Sequence, residues 1–479
     1  MSVITSLTDF IWSPLLLGVL IAAGTYFTFR TRFVQVRMMK EMIRCMFEKS
    51  EDDGEEGISS FQALTVALSG RVGTGNITGV ATAIALGGPG SIFWMWLIAF
   101  IGSGSAFVET TLGQLFKQKE EGHFIGGPAY YIEKGLKNKT FATIMAFIMM
   151  FSFAFLMSGV QTNGISSAMK NALDIPPLWT SIVVSLALFV IIIGGISRIA
   201  KIAEYVVPFM AGAYILMALI VIVLDFDRVL PTFQLIFASA FGWEPLFAGI
   251  TGSAIMYGVR RGVYSNEAGQ GSQVAAAASA QVSHPVKQGL VQAFSVYIDT
   301  WFVCTATALM ILLTGSYNVY DAAKQPIVEN LLNITAESAG ALYTQTALTS
   351  LMGRFGSIFV AIALVFFAFT TLMSYYYIAH TNLVYLLKEK TKPIHILVLQ
   401  VLMITGLFYS GIASSEFVWA LGDLAIGFTV WGNILAILLL SPLVFTLLKD
   451  YETQLKAGKD PVFNPREVEI EASEYWYER

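Results

Sequence analysis

The stretch Ser69-Gly70-Arg71-Val72-Gly73-Thr74-Gly75-Asn76-Ile77-Thr78-Gly79 lies inside an otherwise apolar segment that runs from about 60 to 86. Glycine loosens a helix, and a buried arginine or asparagine needs partners, so an unbroken membrane helix is not expected here. Irregular backbone survives at membrane depth only where protein or a water-filled cavity satisfies its N–H and C=O groups. The stretch therefore reads as a helix break and as a candidate binding site.

The rest of the chain supplies the membrane context. Of 479 residues, 55% are hydrophobic and 13% charged, with a mean hydropathy of +0.65, which is the balance of a polytopic helical membrane protein. The net charge of -4 and the lack of a basic, aromatic-studded surface argue against a nucleic-acid partner. Cys45 lies in a basic loop and Cys304 in an apolar span, so no disulfide is expected. His123, His284, His380 and His395 show no metal-binding spacing. The first apolar run, Ile11 to Phe29, has its basic residues after it, the wrong polarity for a cleavable leader. It reads as an anchor with the N-terminus outside.

Length and flanking residues predict eleven spans: about 11–29, 60–86, 91–116, 142–168, 178–197, 203–224, 244–262, 288–314, 355–387, 394–412 and 418–448. With that count, 24 of the 29 Lys and Arg residues fall on inner segments and four on outer ones, leaving only Arg71 within a span. Such a bias places the N-terminus outside and the C-terminus in the cytoplasm of a multi-pass cell-membrane protein. The chain divides into an N-terminal helix with a basic and acidic linker (1–59), five spans (60–224), five more (225–448) and a polar tail (449–479). The leading spans of the two five-span blocks run in opposite directions. Each carries a small-residue interruption, Gly73-Thr74-Gly75-Asn76 in one and Gly249-Ile250-Thr251-Gly252-Ser253 in the other. Interrupted spans at matching places in two inverted halves point to a secondary transporter with a midplane site. Close helix packing is the alternative use of such glycines.

At a broken helix, exposed N–H groups can hold a carboxylate and freed carbonyls can bind a cation. Backbone groups of Thr74, Gly75 and Asn76, with the Asn76 side chain, are candidates for a carboxylate-bearing substrate. The carbonyls of Ser69 and Val72 are candidates for sodium. Ser253 is the candidate from the second interruption.

The residues from Gly70 to Ile77, with Gly87-Gly88-Pro89-Gly90 and Phe93-Trp94-Met95-Trp96, resemble the alanine/glycine:cation symporter family, also known as the sodium:alanine symporters. The run from Gly258 to Ser272 is similar to that family's second signature. The likeness covers essentially all eleven spans. It implies an all-α, leucine-transporter-like fold with a 5+5 inverted repeat and one extra N-terminal helix, importing a small neutral amino acid with Na+. It further implies that Thr370 and Thr371 join Ser69 and Val72 at sodium, that Gln161 touches substrate, and that Trp431 limits the pocket. Interhelical bonding for Gln161, helix-carbonyl bonding for the threonines and core packing for Trp431 are the competing roles. Departures around Thr429–Asn433 and at Met373-Ser374 leave alanine, glycine, serine and glutamine all open as substrates.

Arg71 is expected to pair with Glu109 on the adjacent span. Asp299, deep in the eighth span, reads either as a proton acceptor or as a hydrogen-bonded structural carboxylate. Ser265-Asn266-Glu267 reads as a gate or hinge with no ligand. A proton-coupled carrier, a channel and an intramembrane enzyme are the alternatives to a sodium symporter. The spans contain no activated nucleophile and no close carboxylate pair that an enzyme would need. Oligomeric state is left open.

Overall fold

The computed structural model describes residues 2–48, 57–120, 122–336 and 338–478. The acidic run Glu51–Glu56 lies outside the described residues. Among the described residues, seven helical segments are long and apolar enough to cross a membrane: Ser91–Leu115, Lys139–Leu173, Gly195–Leu224, Pro285–Leu313, Arg354–Lys390, Pro393–Ile412 and Ser415–Lys456. Shorter apolar helices, Pro14–Arg30, Gly75–Gly87 and Pro177–Ile192, stand among them. The side chains are sorted inside out relative to a water-soluble protein. Val183, Phe209 and Leu439 are more than 60% exposed, while Asn76, Glu109, Asp299 and Asn433 are fully buried. Apolar flanks facing lipid around a polar interior are what a helical membrane transporter requires.

The first break falls where the glycines predict it. Ser60–Arg71 begins at a capping box formed by Ser59 and Gln62, and it ends at Val72, whose φ/ψ of -79/86 leaves helical geometry. A wide π-helical turn, Gly75–Gly79, then leads into Val80–Gly87.

The second break is not at Gly249–Ser253. The Thr251–Asn266 helix starts within that stretch, behind a single turn at Ala248–Ile250, and the chain unwinds only after Asn266. Residues 267–273 are non-helical, and a short helix, Val274–Ala278, follows. Gly269 and Gly271 take φ of +83° and +77°, which a side chain would strain. Glu109, from Ser91–Leu115, holds the unwound segment. Its Oε1 accepts from Gly269 N–H at 3.2 Å, and its Oε2 accepts from Gly271 N–H at 3.0 Å and from Asn433 Nδ2 at 2.7 Å. Small residues at 249–253 imitate a break because they lie at a helix start, where few neighbours crowd them.

Arg71 and Glu109 attract one another but make no direct ion pair among the described residues, because the Glu109 oxygens are taken by Gly269, Gly271 and Asn433. Arg71 Nη1 instead donates to Ser295 Oγ and, at 3.3 Å, to the Gln292 carbonyl. Arg260 and Arg261, counted in the charge census among the inner-segment basic residues, are placed differently. Both are buried within the Thr251–Asn266 helix and paired with Asp423.

Two connections between the expected spans hold regular structure of their own. Phe226–Ala240 is an amphipathic helix, and the 315–353 segment contains a hairpin, Asn318–Tyr320 with Pro326–Glu329, and the helix Gly340–Met352. The tail is packed as well. Phe463, Ile470 and Trp476 are buried, Trp476 Nε1 donates to the Gln114 carbonyl at 3.0 Å, and Ser473 N–H donates to the Leu115 carbonyl at 3.1 Å. Asp460 pairs with Lys287 at 2.9 Å and with Arg44 at 3.0 Å.

Glu109→Ala is expected to strand three buried donors and to lower stability by about 3 kcal/mol or more, with Glu109→Gln recovering part of the loss, as read by thermal unfolding in detergent. Asp460 generates a pH dependence. Burial raises its carboxyl, but Lys287 and Arg44 outweigh that and hold it below the ordinary range. Its stabilisation is therefore complete at neutral pH and is lost as pH falls from about 4 through the lowered value. Asp460→Asn should flatten that acid limb in unfolding temperature measured against pH.

Candidate functional site

The first break brings together side chains from four other helices. Thr74 N–H donates to Gln161 Oε1 at 2.9 Å, and Gly73 N–H donates to Asn76 Oδ1 at 2.8 Å. These amides, freed when the helix opens, thus end on the two side-chain carbonyl oxygens of Gln161 and Asn76. Both residues are buried, with Asn76 wholly so. The other end of the Asn76 amide donates to Asp299 Oδ1 at 2.6 Å, and its backbone carbonyl accepts from Thr307 Oγ1 at 2.7 Å. Asp299 Oδ2 accepts from Ser265 Oγ at 2.9 Å and from Thr300 Oγ1 at 2.7 Å. Asn76 is therefore held in one orientation by a carboxylate that is itself fixed by two hydroxyls. Asp299 is thus hydrogen-bonded on both carboxylate oxygens, a geometry that either of its two alternative roles can use.

On the other side of the break, Thr371 Oγ1 lies 2.8 Å from the Ser69 carbonyl, 3.4 Å from the Val72 carbonyl and 2.9 Å from the Phe367 carbonyl of its own helix, so the helix-carbonyl contact is made at Thr371 as well. Ser69, Val72 and Thr371 thus converge, supplying hard oxygen ligands of the kind an alkali cation takes. Thr370 does not join them. One residue round the helix, its hydroxyl donates to the Phe366 and Phe367 carbonyls at 3.0 Å and faces Met210. Gly73 stands between the two groups. A Cβ there would come 2.5 Å from Thr371 Oγ1 and 2.8 Å from Gln161 Oε1.

Ser253 and Trp431 lie apart from this cluster. Ser253 packs beside Gly87, eleven residues beyond Asn76 on the same broken helix, or about 16 Å at helical rise. Its position follows from the misplaced second break. The Trp431 indole donates to the Ile11 carbonyl at 3.3 Å, so it braces the Ser2–Ile11 helix and not the pocket. Asn163 ties helices together, donating to the Ser410 and Ala413 carbonyls and accepting from Ser415.

The structure adds contacts around residues to which sequence patterning gave no ligand role. Tyr264 packs against Gly75. Glu267 accepts from Tyr375 at 2.6 Å and from Ser272 at 2.6 Å, while Gln273, another of its donors, presses on Gly70. The second unwound segment is thus packed on the first. The available signal was Ser265-Asn266-Glu267, which is too polar for a helix end buried in a membrane.

Above the break, a cavity of about 550 Å³ is lined by Thr78, Asn163, Ser253, Arg261, Trp419 and Asp423, among others. Thr78 is two residues beyond Asn76, so the cavity leads toward the break.

Residues 1–465 match the sodium:alanine symporter family. The chain is 51% identical to YrbD of Bacillus subtilis (strain 168), covering 99% of this chain and 97% of that one. It is 48% identical to a protein of Bacillus sp. (strain PS3) named a sodium/proton-dependent alanine carrier, over 88% and 94% of the two chains. It is 36% identical to the sodium/alanine symporter AgcS of Methanococcus maripaludis, over 94% and 97%. In solved structures, the manganese transporter of Eremococcus coleocola superposes with a TM-score of 0.53 at 13% identity, covering 85% of this chain and 92% of that one, a likeness of fold. With the family matched along nearly its whole length, the chain belongs to the sodium:alanine symporter family, a family of transporters and not of enzymes.

Proposed function

We propose that this protein is a sodium-coupled symporter that imports a small neutral amino acid by alternating access. One observation carries the reading: the oxygens of Ser69, Val72 and Thr371 converge at the same helix break whose amides end on Gln161 and Asn76. The names of the relatives, alanine carriers among them, support the substrate class.

In this reading Na+ is taken by the Ser69 and Val72 carbonyls and by Thr371, whose hydroxyl turns its lone pairs inward. The substrate carboxylate replaces the side-chain oxygens of Gln161 and Asn76 on the Thr74 and Gly73 amides, with Gly75 leaving room for close approach. Both amide side chains then rotate and offer hydrogen bonds to the substrate. Gly73 separates the two sites by less than a side chain, so occupancy of one stiffens the other. That is a physical route to coupling.

The architecture we infer is eleven spans, with blocks 60–224 and 225–448 forming an inverted 5+5 repeat after one N-terminal helix, and with the tail from 449 onward in the cytoplasm. It is supported by two broken helices whose unwound segments pack on one another. The cavity above Thr78 then opens outward, and the tail seals the inner face.

Proton coupling is the second reading, favoured by the Asp299 contact with Asn76, through which loss or gain of a proton would reach the substrate site. Radiolabelled uptake into proteoliposomes across an amino-acid panel, with K+ replacing Na+ at fixed pH, separates the two. Uptake is expected to collapse without Na+; uptake indifferent to Na+ and driven by an inward-acid gradient would assign coupling to protons. Preloading with unlabelled substrate should accelerate labelled uptake, which a channel would not show.

Asn76→Ala is expected to abolish uptake while leaving insertion normal, and near-normal uptake would remove Asn76 from the site. Thr371→Ala should raise the Na+ concentration for half-maximal uptake about tenfold, the equivalent of ~1.4 kcal/mol of ligand binding. Thr370→Ala should leave it nearly unchanged. Equal effects at the two positions would dismantle the proposed ion site.

A further inference from the structure

The cavity ends on a charged cluster that neither proposed site uses. Arg260 and Arg261 each donate through Nη2 to the same oxygen of Asp423, Oδ2, at 2.7 and 2.6 Å. The three residues are 8%, 4% and 4% exposed, respectively, and all line the cavity. A carboxylate commonly satisfies one guanidinium through two parallel bonds. Here two guanidiniums share one oxygen. Asp423 Oδ1, Arg260 Nε, and Arg261 Nε and Nη1 have no protein partner, although unpaired buried polar atoms are costly. Two buried cations face one buried anion. Asp9 and Glu416, which also line the cavity, are exposed, and Asp321 is half-exposed, so water weakens their compensation.

The cluster sits directly over the path to the break. Arg261 lies over the Trp419 ring at 4.8 Å and the Tyr264 ring at 5.6 Å, and those two rings are 4.9 Å apart. Tyr264 in turn packs on Gly75. Arg261, Trp419 and Tyr264 form the layer between the cavity and the first break.

We propose that Arg260, Arg261 and Asp423 form a second binding site, for a free amino acid waiting above the helix break. The proposal rests on the amino-acid reading given above. The α-carboxylate takes the open donors of Arg261 and Arg260, and the ammonium group takes Asp423 Oδ1. Arg261, drawn to the carboxylate, leaves the faces of Trp419 and Tyr264, and the layer over Gly75 loosens. Arrival of substrate thereby unlocks its own way down.

The test uses full-length protein in lipid nanodiscs and saturation-transfer NMR with three probes: alanine, ethylamine (which lacks the carboxylate) and propionate (which lacks the ammonium). In Asn76→Ala protein, alanine is expected to bind still and ethylamine not to. Adding Arg261→Gln should weaken that residual alanine binding at least about tenfold, as for loss of a charge-assisted pair. Asp423→Asn keeps side-chain shape and provides an independent check: it frees both arginines, so propionate should bind at least about threefold more tightly and alanine more weakly. Loss of all alanine binding in folded Asn76→Ala protein, or unchanged propionate affinity in Asp423→Asn, would overturn the second site. Failure of the wild-type protein to bind alanine, glycine, serine or glutamine would overturn the amino-acid reading itself, and the second site with it.

Discussion

A helix that opens at membrane depth strands its own N–H and C=O groups, and the rest of this structure is arranged to receive them. Water cannot do so cheaply in a packed, apolar interior. The protein answers the same need in two ways. At the second break a fixed carboxylate, Glu109, spans two backbone amides and is itself held by Asn433. At the first, neutral amide side chains take the corresponding places, Gln161 on Thr74 and Asn76 on Gly73. A carboxylate locks such a segment, whereas a neutral oxygen can be displaced by a carboxylate from outside. The difference in charge separates the structural break from the one that suits a ligand.

This contrast also explains what the amino-acid sequence made legible. The first break was readable because glycine, arginine and asparagine crowd into a segment otherwise too apolar to tolerate them. Ser69, Val72, Thr74 and Asn76 followed directly, since freed backbone groups lie beside any break. The second break was misplaced because small residues at 249–253 carry the same signature at a helix start, while residues 267–273 are polar enough to pass for a loop beyond the membrane. Composition reports that a helix is weak, but not whether its weakness lies at the end or in the middle.

Side-chain direction was harder still. Thr370 and Thr371 are adjacent and chemically identical, and only the roughly 100° turn between neighbouring helical residues sends one to the break and the other to Met210. Trp431 is an apolar ring deep in a helix whichever face it occupies, and the partner that decides its role, Ile11, is 420 residues away in sequence. The Arg71–Glu109 expectation rested on opposite charges at similar depth. It overlooked backbone amides, which carry no charge in the sequence: two of them, with the Asn433 side chain, occupy the Glu109 carboxylate in place of a direct contact with the guanidinium.

That same angular step gives meaning to the wide turns. Gly75–Gly79 and Tyr297–Cys304 are π-helical, each accommodating more residues per turn than an α-helix would. They lie opposite one another, with Asn76 in the first and Asp299 in the second. In a regular helix a single surplus residue rotates everything after it by about 100°. The phase of each segment is thus set by a dislocation beside the pocket. Thr307, which latches onto the Asn76 carbonyl from beyond the second dislocation, keeps its bearing only while the surplus is retained. Deleting one residue between 297 and 304 would leave composition and hydropathy almost untouched and turn that latch toward a different neighbour.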